Sequence, residues 1–280
     1  MNPAGILLLI AFPVGPLLLG GYAWWRTRGA SPGAPAVAAP PMAVPLWPGV
    51  LNASLLFALA FNLVYFVQEF FLAWPKSLLP GVDAVVYHNN HDWSGDHPDV
   101  LLYQGAGALA IIVLGALLAA VGAWLGKRLR GTHAVLWWTT CLAFGLGWIQ
   151  FSIAAMHPDN DVGQAFDFLE LSGGSRLLLA LLALVVVIAF GTYFVRPVFA
   201  MAPAGALTTP RSRVIYTLKF AIVPLVLGSL LAWPNRAPPI NHLTLPLFSG
   251  LFILPWTLAA AALTPTPQPV TDRLHRDVDW

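Results

Sequence analysis

The feature that most restricts this 280-residue chain is a recurrence of apolar runs near 20 residues long, separated by short polar connections. A helix rises about 1.5 Å per residue, so roughly 20 apolar residues cross the ~30 Å hydrocarbon core of a bilayer. In hydrocarbon the backbone must satisfy its own polar groups, and an α-helix does so within one segment. Seven runs meet or approach that length: Gly5–Trp25, Val50–Trp74, Leu101–Trp124, Ala134–Met156, Leu177–Val195, Val214–Trp233 and Leu243–Leu263. Trp-Pro pairs at 74–75 and 233–234 and the Ser-Gly-Gly-Ser at 172–175 separate them. Several tryptophans fall at run ends, where an aromatic belt meets the interface.

The expectation is an all-α integral membrane protein, a bundle of about seven transmembrane helices forming a single domain over residues 1–280. Only 9% of residues are charged, against about a quarter in soluble domains, so no sizeable soluble domain is expected. Pro13 and Pro16 in the first run, and Pro246 and Pro255 in the last, mark these two as kinked spans or re-entrant pieces. The first run is read as a retained helix. Its leading Met-Asn-Pro-Ala-Gly lacks positive charge while Arg26 and Arg28 follow it, the reverse of a secretory signal. Residues 29–45 read as a Pro/Ala-rich cytoplasmic linker.

Lysine and arginine orient the bundle. Arg26, Arg28, Lys127, Arg128, Arg130, Arg196, Arg211, Arg213, Arg273 and Arg276 fall on one side, with Lys219 snorkelling towards it. The other side holds Lys76, Arg176 and Arg236. The positive-inside rule makes the first side cytoplasmic, with the N-terminus outside and the C-terminus cytoplasmic. The net charge of +2 is thereby spent on topology, and no nucleic-acid partner is expected. The lipid bilayer is the expected partner. The Ala/Gly/Pro-rich composition suggests a bacterial inner membrane, with the outer face towards the periplasm.

Acids and histidines follow the opposite bias. Nine of the twelve acids fall on or near the outer face. The loop Tyr87-His-Asn-Asn-His-Asp-Trp-Ser-Gly-Asp-His-Pro-Asp99 carries His88, His91 and His97 beside Asp92, Asp96 and Asp99. His157 opens the loop after the fourth run, and His242 precedes the seventh. Imidazole and carboxylate are the usual ligands of zinc and related divalent ions. The candidate ligands are therefore His88, His91, His157, His242, Asp96 and His97, with Glu69 or Asp92 as general base to a zinc-bound water. The spacing matches no His-Glu-x-x-His helix. The competing reading is a solvated loop with good turn chemistry in Asp-Trp-Ser-Gly-Asp.

Within the second run, Asn62, Tyr65 and Glu69 share one helical face, and an intramembrane carboxylate is a functional candidate by default. Gln150 and His157 share a face of the fourth run. If the two faces meet, Glu69, Gln150 and His157 line a pocket beneath the His/Asp loop. Residues 162–171, with Gln164, Asp167 and Glu170 three apart, read as a short interfacial helix.

These features suggest a metal-dependent hydrolase at the outer interface. A transporter or channel for protons or metal ions, and a non-catalytic subunit or assembly factor in contact with other membrane subunits, are the alternatives. Lys219 is read as a snorkelling residue, Arg211 and Arg213 as topology anchors, and Gly122-x-x-x-Gly126 as a helix-packing motif. Cys141 alone makes neither a disulfide nor a metal site. No nucleotide-binding loop or Gly-x-Ser-x-Gly elbow is present.

Overall fold

A computed structural model describes residues 14–22, 25, 46–125, 133–203, 206–235 and 244–264. Five helical stretches in it are long and apolar enough to cross a membrane: Trp47–Leu78, Val100–Trp124, Ala134–Ala154, Gly173–Ala200 and Pro210–Ala232. The chain is a helical, multi-pass membrane protein. The two proline-bearing runs differ from these five. Residues 14–22 are helical, and the rest of the first run lies outside the described residues. The seventh run is two short helices, Thr244–Leu251 and Leu254–Leu263, with Pro255 in the first turn of the second. Thr257 Oγ donates to the Gly191 carbonyl at 2.7 Å and ties the second piece to a neighbouring helix. The linker at 29–45 and His242 lie outside the described residues.

We label the main helices α1 (Leu46–Ala73), α2 (Val100–Tyr103), α3 (Ala106–Leu125), α4 (His133–Ala154), α5 (Asp161–Phe168) and α6 (Gly173–Tyr193). Helix α4 is central: 72% of its apolar window is buried, against 22% for the stretch containing α3. Phe57, Phe61 and Val64 from α1 pack there with Trp138 and Leu142, and Phe57 meets Trp138 edge to face at 5.2 Å. Lipid offers helices no hydrophobic drive to associate, so close backbone approach must supply contact instead. Gly107 lies against the Gln68 carbonyl, Gly147 against that of Ala108 and Gly228 against that of Ser54. The expected packing motif is not one of these contacts: nothing approaches Gly122, and Gly126 lies outside the described residues.

Several polar side chains inside the spans return to their own helix. Ser54 bonds to the Val50 carbonyl, Asn62 to Ala58, Thr139 to Val135 and Ser229 to Leu225, which removes unpaired donors from hydrocarbon. Arg213 is more than a topology anchor. It is buried, and its guanidinium donates to the carbonyls of Ala261 and Leu207. The stretch from Pro210 to Ala232 widens into a π-turn at Leu218–Ile222. Pro224 follows, with no N–H to offer the Phe220 carbonyl, and a wider turn relieves that mismatch.

The expectation of an all-helical chain missed one element. Asp83–Val86 (β1) and His91–Ser94 (β2) pair antiparallel, with Val86 opposite His91 and Ala84 opposite Trp93. Gly81 and Gly95 cross at the base of this hairpin with φ of 75° and 95°. A Cβ on Gly95 would strike the Gly81 carbonyl, so only glycine fits there.

Candidate functional site

The hairpin closes over one end of the bundle, and the site lies beneath it. Glu69 sits in the last turns of α1 and is only 3% exposed. A buried carboxylate is costly unless it is paired and hydrogen-bonded. Its partner is His91, whose Nδ1 lies 2.7 Å from Glu69 Oε2. Strand alternation explains why His91 was selected from the loop. His91 and Trp93 point towards the bundle, whereas Asp92 and Ser94 point outward.

Pro75 ends the helix, and the next residue, Lys76, turns back in a short 3-10 helix. Lys76 is completely buried. Its Nζ lies 3.1 Å from His91 Nε2, donates to Gln104 Oε1 at 2.7 Å and rests 3.8 Å from the centre of the Trp93 ring. These contacts replace the water that an ammonium loses on burial. They also fix the imidazole. An ammonium can only donate, so His91 Nε2 must accept from Lys76 and Nδ1 must carry the proton given to Glu69. The result is a continuous series, Glu69 carboxylate to neutral His91 to Lys76 ammonium to Gln104. Gln104 Nε2 extends it to Gln164 Oε1 at 3.4 Å.

Asp161 completes the electrostatics. It is the first residue of α5, after the N-cap Asn160, whose side chain accepts the Gly163 N–H at 2.6 Å. Burial, and then the negative charge of Glu69, push its carboxyl up to about 6; His91 and Lys76 pull the other way. A second polar tie lies deeper, where Gln150 Nε2 donates to Gln68 Oε1 at 3.1 Å. The polar faces of the second and fourth runs therefore do meet, through Gln68 rather than Glu69.

The sequence-derived candidates separate into two sets. Glu69 and His91 are brought together. His88 sits exposed at the hairpin tip, and Asp92 is exposed on the outer face of β2, where its carboxylate accepts the Trp93 N–H at 2.8 Å. Asp96 is exposed. His97 accepts the Asp99 N–H at 3.2 Å and lies 3.9 Å from the Asp99 carboxylate. His157 is exposed beyond the end of α4, away from the pocket proposed for it with Glu69 and Gln150. Among the described residues, no three His, Cys, Asp or Glu side chains converge as a metal site requires. The hairpin is the physical reason: it turns consecutive loop residues to opposite faces.

Lys76, Trp93, Gln104, Asp161 and Gln164 were not singled out as site residues. One signal was available for Lys76, which follows Glu69 by seven residues and so continues its helical face. The short helix expected at 162–171 is present as α5, which ends at Phe168; its Val162, Ala165 and Phe166 are buried while Asp167 pairs with Arg176 at 2.6 Å. Comparison with family models, with curated proteins and with solved structures finds no match to this chain.

Proposed function

We propose that this is a proton-responsive membrane protein in which the hairpin is a titratable latch. The observation that carries the reading is the His91 bridge. The imidazole rides on the hairpin, yet both of its nitrogens are committed to the bundle, to Glu69 at 2.7 Å and to Lys76 at 3.1 Å. Imidazole is the side chain suited to change charge across physiological pH. Protonation converts Nε2 from acceptor to donor. It then faces an ammonium that can only donate, and the His91–Lys76 contact becomes a repulsion between like charges. Asp161 acts in the opposite sense: burial and the charge of Glu69 push its carboxyl up to about 6, so its protonation favours the packed state. The repulsion between the imidazolium and Lys76 is what loosens the hairpin as the medium acidifies.

Several features support a sensor over the other readings. Lys76 has no exposed surface, so a closed hairpin denies it to a substrate as nucleophile. Among the described residues, the acids all lie towards the hairpin end, and no chain of carboxylates leads from them to the opposite end. That arrangement favours sensing over conduction. The scattered positions of His88, Asp96, His97 and His157 lend no support to a zinc-dependent hydrolase. The lysine and arginine distribution supports a hairpin facing away from the cytoplasm, on the periplasmic side if the membrane is a bacterial inner membrane.

Spin labels at Ser94→Cys and Glu170→Cys, both exposed sites at this end, test the latch in the full-length protein. Cys141 is buried and stays unlabelled. The distance distribution is expected to be narrow near pH 8 and to broaden below about pH 6. A distribution that is identical at both pH values would overturn the reading. In His91→Ala it should be broad throughout.

A further inference from the structure

At the end of the bundle opposite the hairpin lies an open cavity between the helices. Its walls are largely apolar: Leu56, Trp138, Met201, Tyr216 and Phe220, with Asn52 as a polar contributor. Trp138 and Tyr216 are 1% and 6% exposed, so the walls are parts of the packed core rather than mobile surface groups. The π-turn forms one wall, since Phe220 belongs to it and lies tilted against Tyr216 with ring centres 4.6 Å apart. Apolar walls in a membrane bundle suit a hydrocarbon chain, because water there would meet few polar partners.

Charge selects the head group. The described charged residues at this end are Arg196, Arg211, Arg213 and Lys219, with no acid among the described residues there. Arg213 is committed to backbone carbonyls. Arg211 is exposed in the turns before Tyr216, and Lys219 is half-buried beside Phe220. Both therefore flank the element that walls the cavity. Basic groups at a cavity between membrane helices recognise anionic lipid head groups. We propose that this cavity binds an anionic phospholipid, its acyl chain between Trp138 and Phe220 and its phosphate near Arg211 and Lys219.

The test uses full-length protein in nanodiscs containing a phosphatidylglycerol with a photoreactive diazirine in its acyl chain. A phosphatidylcholine carrying the same chain is the control, and adducts are located by mass spectrometry. Cavity residues are expected to favour the anionic probe by about fivefold per basic residue, while lipid-facing Leu117 and Leu181 label equally with both. Ala53→Trp narrows the cavity and should abolish cavity adducts while Leu117 still labels. The double variant Arg211→Gln/Lys219→Gln should retain cavity labelling and lose the preference, and it serves where Ala53→Trp does not fold. Equal labelling by the two probes in the wild type would overturn the proposal, as would cavity adducts that persist in a folded Ala53→Trp protein.

Discussion

The two ends of the bundle solve opposite problems with the same helices. At the hairpin end, two carboxylates, an imidazole and an ammonium are gathered below a two-stranded cover, and Glu69 and Lys76 are nearly or wholly without exposed surface. At the other end the described charges are all basic, and the cavity between helices is walled mainly by aromatic and aliphatic groups. Charge that is buried must be paired, which makes the first end interdependent and sensitive to protons. An apolar cavity with basic groups around it depends on no single pair. Substitutions should therefore be severe and pH-dependent at one end and mild and pH-independent at the other.

The largest effect is expected for Lys76→Met. Removing one partner of a buried charge set leaves uncompensated carboxylates and typically costs about 3–5 kcal/mol. Thermal unfolding in detergent near neutral pH should show the largest fall of any variant here, and acidification, by neutralising Asp161, should recover part of it. An unchanged melting temperature would break the contrast between the two ends. Gly95→Ala is expected next. A Cβ there meets the Gly81 carbonyl at a φ of 95°, and strain of this kind costs on the order of 1–3 kcal/mol. Its damage should stay in the hairpin, so proteolysis near residues 81–95 should accelerate more than global unfolding does.

Asp161→Asn sharpens the electrostatic half of the comparison. Burial and the charge of Glu69 push the carboxyl up to about 6 in the folded protein, above the ordinary carboxylate range. The folded state therefore holds its proton more tightly, and ionisation of Asp161 weakens folding as pH rises through about 6. The variant should exceed the wild type in melting temperature at neutral pH, and the gap should close below about pH 4. A gap that is constant over this range would contradict the assignment. The smallest effects are expected for His88→Ala and His157→Ala, within about 0.5 kcal/mol of the wild type. If either matched His91→Ala in stability or in pH response, the separation of one working histidine from its neighbours would fail.

The helical spans were legible because length and hydropathy answer directly to the bilayer, which acts on every residue of a run at once. The ends of the chain's apolar pattern were harder to read, since Pro255 divides the last run into two helices by a local backbone effect. Glu69 was legible as an ionisable residue within a span, and His91 as one of a cluster. What the sequence could not rank was His91 above His88 or His97. That choice depends on the register of a hairpin, and a shift of one residue would have turned Asp92 inward instead. Lys76 was obscured for another reason. A lysine just past a Trp-Pro boundary reads as an interfacial charge, and its seven-residue spacing from Glu69 was the one signal against that reading. Gln104 and Gln164 are 60 residues apart in sequence, a pairing that no local pattern announces.

The most direct test of the central claim is nitrogen-15 NMR of histidine-labelled protein, with His91→Ala used to assign the resonances. Near pH 8 the His91 signals should be those of a neutral ring protonated at Nδ1 with Nε2 accepting a hydrogen bond. They should become those of an imidazolium on acidification towards about pH 5, together with loosening of the hairpin. A ring protonated at Nε2 near pH 8, or one that stays neutral with the hairpin closed down to about pH 5, would contradict the account.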